Sequence, residues 1–98
     1  MTIKKLLIAN RGEIASRIIR SAHDMGIATV AIYTEPDSNS PYVRQANEAF
    51  KLETSYLDSK EILNIASKAN VDAIHPGYGF LSENYNFANQ VKKANLKW

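Results

Sequence analysis

The chain has 98 residues, 45% of them hydrophobic and 22% charged, with a formal net charge of +2 and no cysteine. That length holds one domain, and the ordinary composition excludes collagen, coiled coil and wholesale disorder. The small net charge gives no ground for a nucleic acid or a membrane as partner, and the lack of cysteine excludes disulfide scaffolds and thiolate zinc sites.

Leu6 to Ala9 is an apolar run of strand length without polar alternation, as in a strand buried on both faces of a parallel sheet. The start from Ile3 to Ala9 lacks a small-residue cleavage site and meets Asn10-Arg11-Gly12-Glu13 at once. No signal peptide is expected, and the expected compartment is the cytoplasm. A helix is predicted over Gly12 to Met25, where Ile14, Ala15, Ile18, Ile19, Ala22 and Met25 form one stripe and Gly26 is the stop. Ala28 to Tyr33 is a second buried strand, which completes a βαβ unit.

Thr34 to Pro41 is a loop, Tyr42 to Ala46 a short helix and Glu48 to Leu52 a third strand. Asp58 and Glu61 have capping-box spacing, and the helix they start runs to Asn70 on Ile62, Leu63, Ile65, Ala66 and Ala69. Val71 to His75 is a fourth strand, and Pro76 to Leu81 a loop. Ser82 is the expected cap of a last helix with Glu83 in its first turn and Phe87, Ala88, Val91 and Ala94 buried. Leu96-Lys97-Trp98 reads as the start of a fifth strand. The expected fold is α/β and Rossmann-like: an open parallel sheet of four to five strands with helices on both faces.

Ligands bind such sheets at the carboxyl ends of the strands. Four loops lie there: Asn10 to Gly12, Thr34 to Pro41, Glu53 to Leu57 and Pro76 to Ser82. A dinucleotide fingerprint needs three glycines in the first loop, which has one, and Glu13 would repel a phosphate. The plainer reading is that Gly12 permits a tight turn while Asn10 and Arg11 satisfy nearby backbone and carboxylates. In the last loop, Gly77 and Gly79 flank Tyr78: either exposed amides beside a ring suit a planar, polar, uncharged ligand, or this is a turn whose aromatic residues, Tyr78 and Phe80, simply pack. His75 reads as a satisfied strand-end residue. With only His23 besides, no metal cluster is expected. Arg17, Arg20 and Asp24 share the polar face of the first helix, with Glu13 four residues before Arg17. They read as a solvated face of i,i+4 pairs or as a subunit interface.

Two segments, Lys5-Leu6-Leu7-Ile8-Ala9-Asn10-Arg11-Gly12-Glu13-Ile14-Ala15 with Arg17-Ile18-Ile19-Arg20, and Ala73-Ile74-His75-Pro76-Gly77-Tyr78-Gly79-Phe80-Leu81-Ser82-Glu83-Asn84, resemble the N-terminal domain of biotin carboxylases. The resemblance spans the chain in order and implies the pre-ATP-grasp form of the fold. It implies an enzyme of acetyl-CoA, propionyl-CoA or pyruvate carboxylase type. Such an enzyme phosphorylates bicarbonate with ATP and Mg, then carboxylates a biotin ureido nitrogen. Residues 1–98 would be one domain of that longer enzyme and inactive alone. ATP, Mg and bicarbonate would bind mostly in later domains, so no catalytic residue or metal ligand is expected in this segment.

The implied partners are the remaining ATP-grasp domains, a biotin carboxyl carrier domain, a carboxyltransferase and a second copy of the subunit, with no nucleic acid and no membrane. Tyr78 and Gly79 match positions that line the family's biotin pocket. Arg17, Arg20 and Asp24 match its dimer-interface helix face, where Asp24 stands for a more common Glu. The connection at Glu53 to Leu57 is shorter than the family's Gly-Pro-containing one. A stand-alone flavodoxin-like module that binds a small ligand or a partner through the same loops is the alternative.

Overall fold

The computed structural model describes residues 3–98. Its elements are β1 (Lys5–Ile8), α1 (Gly12–Asp24), β2 (Ala28–Tyr33), α2 (Pro41–Gln45), β3 (Glu48–Lys51), α3 (Ser59–Ala69), β4 (Ala73–His75) and α4 (Tyr85–Lys93), with a 3-10 turn at Glu35–Asp37. The four strands are parallel in the order β3-β2-β1-β4. Lys97 adds one parallel bridge to Ala73, so the expected fifth strand is present as a single rung beside β4.

The period-2 pleat splits β1 and β2 between two cores. Leu7, Ala9, Val30 and Ile32 face Ile62, Ile65 and Ala66 of α3 and Phe87 and Val91 of α4. Ile8 and Ala31 face Ala15 and Ile19 of α1 and Tyr42 of α2. Helices on both faces explain why these strands carry no polar alternation. The edge strand β3 alternates between half-buried and exposed residues. Lys5 Nζ donates to its Glu48 Oε2 at 2.8 Å and to Ala69 O at 2.9 Å.

Several expectations need correction. α1 ends at Asp24, and Met25, expected in the buried stripe, is 75% exposed at the C-cap before left-handed Gly26. Pro41 opens α2 instead of closing the loop, since its fixed φ suits the first helical turn. Asp58 caps α3, its Oδ1 accepting from Glu61 N–H at 3.0 Å. Glu61 does not reach back to Asp58. It accepts instead from the N–H groups of Glu53 at 2.9 Å and Thr54 at 3.3 Å, which pins the 53–57 loop to the first turn of α3. α4 starts two residues late. Ser82 and Asn84 are spent on turns back to Gly79 O and Leu81 O, and the Asn84 side chain is the cap, accepting from Phe87 N–H at 2.9 Å. Ala94 is exposed, since the helix has ended at Lys93.

Candidate functional site

Hydrogen bonds connect the loops at the carboxyl ends of the strands in one chain. After β1, Asn10 is 1% exposed and its Nδ2 donates to Pro76 O at 2.8 Å and Tyr78 O at 2.6 Å, in the loop after β4. Next to it, Arg11 donates through Nε and Nη2 to both oxygens of Asp37, at 2.5 and 2.6 Å, in the loop after β2. Asp37 Oδ2 also accepts from Tyr56 Oη at 2.5 Å, in the loop after β3. Thr34 N–H donates to Tyr56 Oη at 3.1 Å, and Tyr42 Oη lies 2.8 Å from it while donating to Ile32 O. The Tyr56 ring meets the Phe80 ring at 5.4 Å, which returns the chain of contacts to the β4 loop.

The electrostatics follow from these contacts. The Arg11 hydrogen bonds hold the Asp37 carboxyl below the usual carboxylate range, helped by Tyr56 and opposed by burial. Arg11 is correspondingly held more firmly protonated. Burial raises the Tyr42 hydroxyl, and its Tyr56 contact adds to this.

The sequence reading named Asn10 and Arg11 as groups that satisfy backbone and carboxylates, and both do so. It did not single out Asp37, Tyr42 or Tyr56. Their partners lie 26, 10 and 19 residues away, so no local spacing marks them.

On the β4 loop, Tyr78 is 78% exposed. Gly77, Gly79 and Phe80 have φ of 66, 69 and 49°, so the path around Tyr78 is left-handed at three of four residues. Glycine makes this cheap at two of them, and Phe80 bears strain that its contact with Tyr56 offsets. Of the two amides expected to be exposed, Gly77 N–H is occupied and donates to His75 Nδ1 at 3.1 Å. Gly79 N–H has no hydrogen-bond partner among the described residues. Among the described residues, the Gly77 bond is the one hydrogen bond to the His75 ring, and desolvation lowers its imidazole pKa.

The face of α1 differs in detail from the expected pairing. Arg20 donates to Ser16 Oγ at 3.0 Å and pairs with Glu13 Oε1 at 3.3 Å, two turns away. The expected Glu13–Arg17 pair is not formed. Arg17 and Asp24 are exposed, and neither side chain has a hydrogen bond or ion pair among the described residues. An open groove of about 780 Å³ brings Arg17 together with Tyr78, between Ile14 and Ile18 of α1 on one side and His75 and Trp98 on the other. Arg20 and Asp24 lie outside it.

No group of three or more His, Asp or Glu that could hold a metal occurs among the described residues. No helix among the described residues is long and apolar enough to cross a membrane.

Residues 2–98 match the family model described as biotin carboxylase, N-terminal domain. The biotin-dependent acyl-coenzyme A carboxylase alpha3 subunit of Mycobacterium leprae is 54% identical over 98% of the chain and 17% of its own length. Biotin carboxylase 2 of Bacillus subtilis is 50% identical over 94% of the chain and 22% of its own. The biotin carboxylase domain of 2-oxoglutarate carboxylase from Hydrogenobacter thermophilus, solved as a dimer with MgADP, ADP and bicarbonate, superposes with a TM-score of 0.94 at 43% identity. It matches 98% of this chain and 22% of its own. The chain thus spans about a fifth of the length of these relatives.

Proposed function

Because this chain belongs to the biotin carboxylase N-terminal domain family, we propose that it serves an ATP-dependent biotin carboxylase by presenting Tyr78 and Gly79 to biotin. ATP, Mg and bicarbonate are held by domains beyond these residues, and the carboxyl group passes to a ureido nitrogen of biotin on a carrier domain. A carboxyltransferase then selects the final acceptor.

The observation that carries the biotin reading is the 78% exposed Tyr78 ring beside a Gly79 N–H without a partner among the described residues. A ureido ring is flat and uncharged, with one carbonyl acceptor and two N–H donors. It stacks on an aromatic face and accepts from a free amide. In the full-length enzyme, Tyr78→Ala should raise the KM for free biotin and leave bicarbonate-dependent, biotin-independent ATP hydrolysis unchanged. Unchanged biotin kinetics would remove the loop from the site.

The second surface in this reading is α1. Arg17, Arg20 and Asp24 form the contact with a second subunit. Its support is the exposure of all three on one helix, together with the dimeric state of the Hydrogenobacter domain. Arginine suits such a surface, because its planar fork pairs bidentately across an interface.

A further inference from the structure

A buried side-chain amide must find partners for its donors and its acceptor. Asn10 does so entirely with backbone. Its Oδ1 accepts from Arg11 N–H at 2.8 Å, and its Nδ2 donates to Pro76 O and Tyr78 O at 2.8 and 2.6 Å. The β4 loop is seated on this amide so closely that a Cβ on Gly77 would lie 2.6 Å from Asn10 Nδ2. The loop has few other ties of its own. Gly77 N–H bonds to His75, and Gly79 O accepts from Ser82 N–H. Among the described residues, the carbonyls of Pro76 and Tyr78 have no partner but Asn10.

The Tyr78 carbonyl and the Gly79 N–H belong to one peptide unit. That unit is planar and trans, so the two groups point in opposite directions. Drawing the carbonyl inward onto Asn10 turns the N–H outward, beside the exposed Tyr78 ring. We propose that Asn10 is the positioning residue of this loop: its amide fixes the Tyr78–Gly79 peptide plane and so aims the Gly79 N–H at the ligand. The inference rests on the biotin reading above for the identity of that ligand, though not for the effect on the loop.

The side-chain requirement is specific. Asp has the same shape, but it would set a carboxylate against two carbonyl oxygens. Ala would leave both carbonyls and the Arg11 N–H without partners. Either change costs a buried polar group its bond.

The test uses the full-length biotin carboxylase that carries this domain, with Asn10→Asp, Asn10→Ala and Tyr78→Ala as variants. Amide hydrogen exchange reports the loop directly. Both Asn10 variants should exchange faster at Gly77 and Ser82, whose N–H groups are bonded within the loop, while exchange in β1 and α1 stays as in wild type. Their KM for free biotin should rise about tenfold, with biotin-independent ATP hydrolysis unchanged. Unchanged exchange at Gly77 and Ser82 would overturn the proposal whatever the kinetics. Loss of basal ATP hydrolysis in both Asn10 variants would also overturn it, since a residue that only aims this peptide leaves that reaction intact. Faster exchange at Gly77 and Ser82 in the Asn10 variants, with biotin KM unmoved there and in Tyr78→Ala, would keep the positioning role and overturn the biotin reading.

Discussion

The Arg11 guanidinium and the Asp37 carboxylate meet through two parallel hydrogen bonds, 2.5 and 2.6 Å long, across the carboxyl ends of β1 and β2. The pair is asymmetric: the Arg11 side chain is 48% exposed and that of Asp37 is 7% exposed. A bidentate pair of this kind fixes direction as well as distance. It ties the loop that carries Asn10 to the loops after β2 and β3, and so braces the rim on which Tyr78 stands.

Removing the exposed member should therefore hurt more than an ordinary surface pair would. Arg11→Met leaves the buried Asp37 carboxylate without a counter-charge, its side chain bonded only by the Tyr56 hydroxyl. The expected loss is about 2 kcal/mol, against about 0.5 kcal/mol for Glu13→Gln in the exposed pair with Arg20. Urea unfolding of the 98-residue chain measures both. Equal effects would show that the Arg11–Asp37 contact is no more than a solvated ion pair.

The same pair sets an acid limb. Asp37 is held below its ordinary value in the folded chain, so the unfolded chain takes up the proton first. The stability this contributes is complete above the unfolded carboxylate value of about 3.9, and it is lost as pH falls through the lower folded value. Unfolding free energies measured between about pH 2 and 6 should show the gap between wild type and Asp37→Asn narrowing toward the acid end. A gap independent of pH would assign the acid limb to other carboxylates.

Two glycines with nearly the same φ should respond differently to alanine. Gly12 has φ +64° and open space where a Cβ would go, so Gly12→Ala bears only the left-handed penalty of about 1 kcal/mol. Gly77 has φ +66°, but there a Cβ would strike the Asn10 amide, which cannot retreat without releasing its carbonyls. Gly77→Ala should cost roughly 2–4 kcal/mol. Thermal melts of the two variants make the comparison, and matching shifts would mean that Asn10 gives way freely.

At the start of α4, the cap and its near neighbour can be separated. Asn84→Ala removes an acceptor from Phe87 N–H and should cost about 1 kcal/mol. Ser82→Ala should stay within about 0.5 kcal/mol. The reverse order in chemical denaturation would return the helix start to Ser82.

The α1 surface carries its own prediction. If α1 forms the proposed subunit contact, Arg17→Glu in the full-length enzyme should weaken the dimer by about tenfold or more, because it reverses a charge at that contact. Sedimentation at several concentrations reads the dissociation constant directly. An unchanged constant would take Arg17 out of the interface.

Much of this architecture is legible along the chain. The runs Leu6 to Ala9 and Ala28 to Tyr33, the α1 stripe and Asp58 all carry signals that act within a few residues: pleat parity, helical period and side-chain capping. The misplacements are also local in origin. Ser82 has the chemistry of a cap, but the turn through left-handed Phe80 uses up its position before the helix begins. Met25 continues the apolar period one residue past the point where the helix stops.

By itself the sequence determined the strands and helices, the alternation that makes them an α/β sheet, and the glycine-flanked turn on the last strand's loop. Those properties come from backbone sterics and hydrophobic spacing between neighbours. Only the folded chain decided that Asn10 would sit beneath Tyr78 and that Arg11, Asp37 and Tyr56 would share one buried network. The hydrogen bonds involved join residues 66 and 68, or 26 and 19, positions apart, and no local pattern encodes a distance closed by the sheet itself.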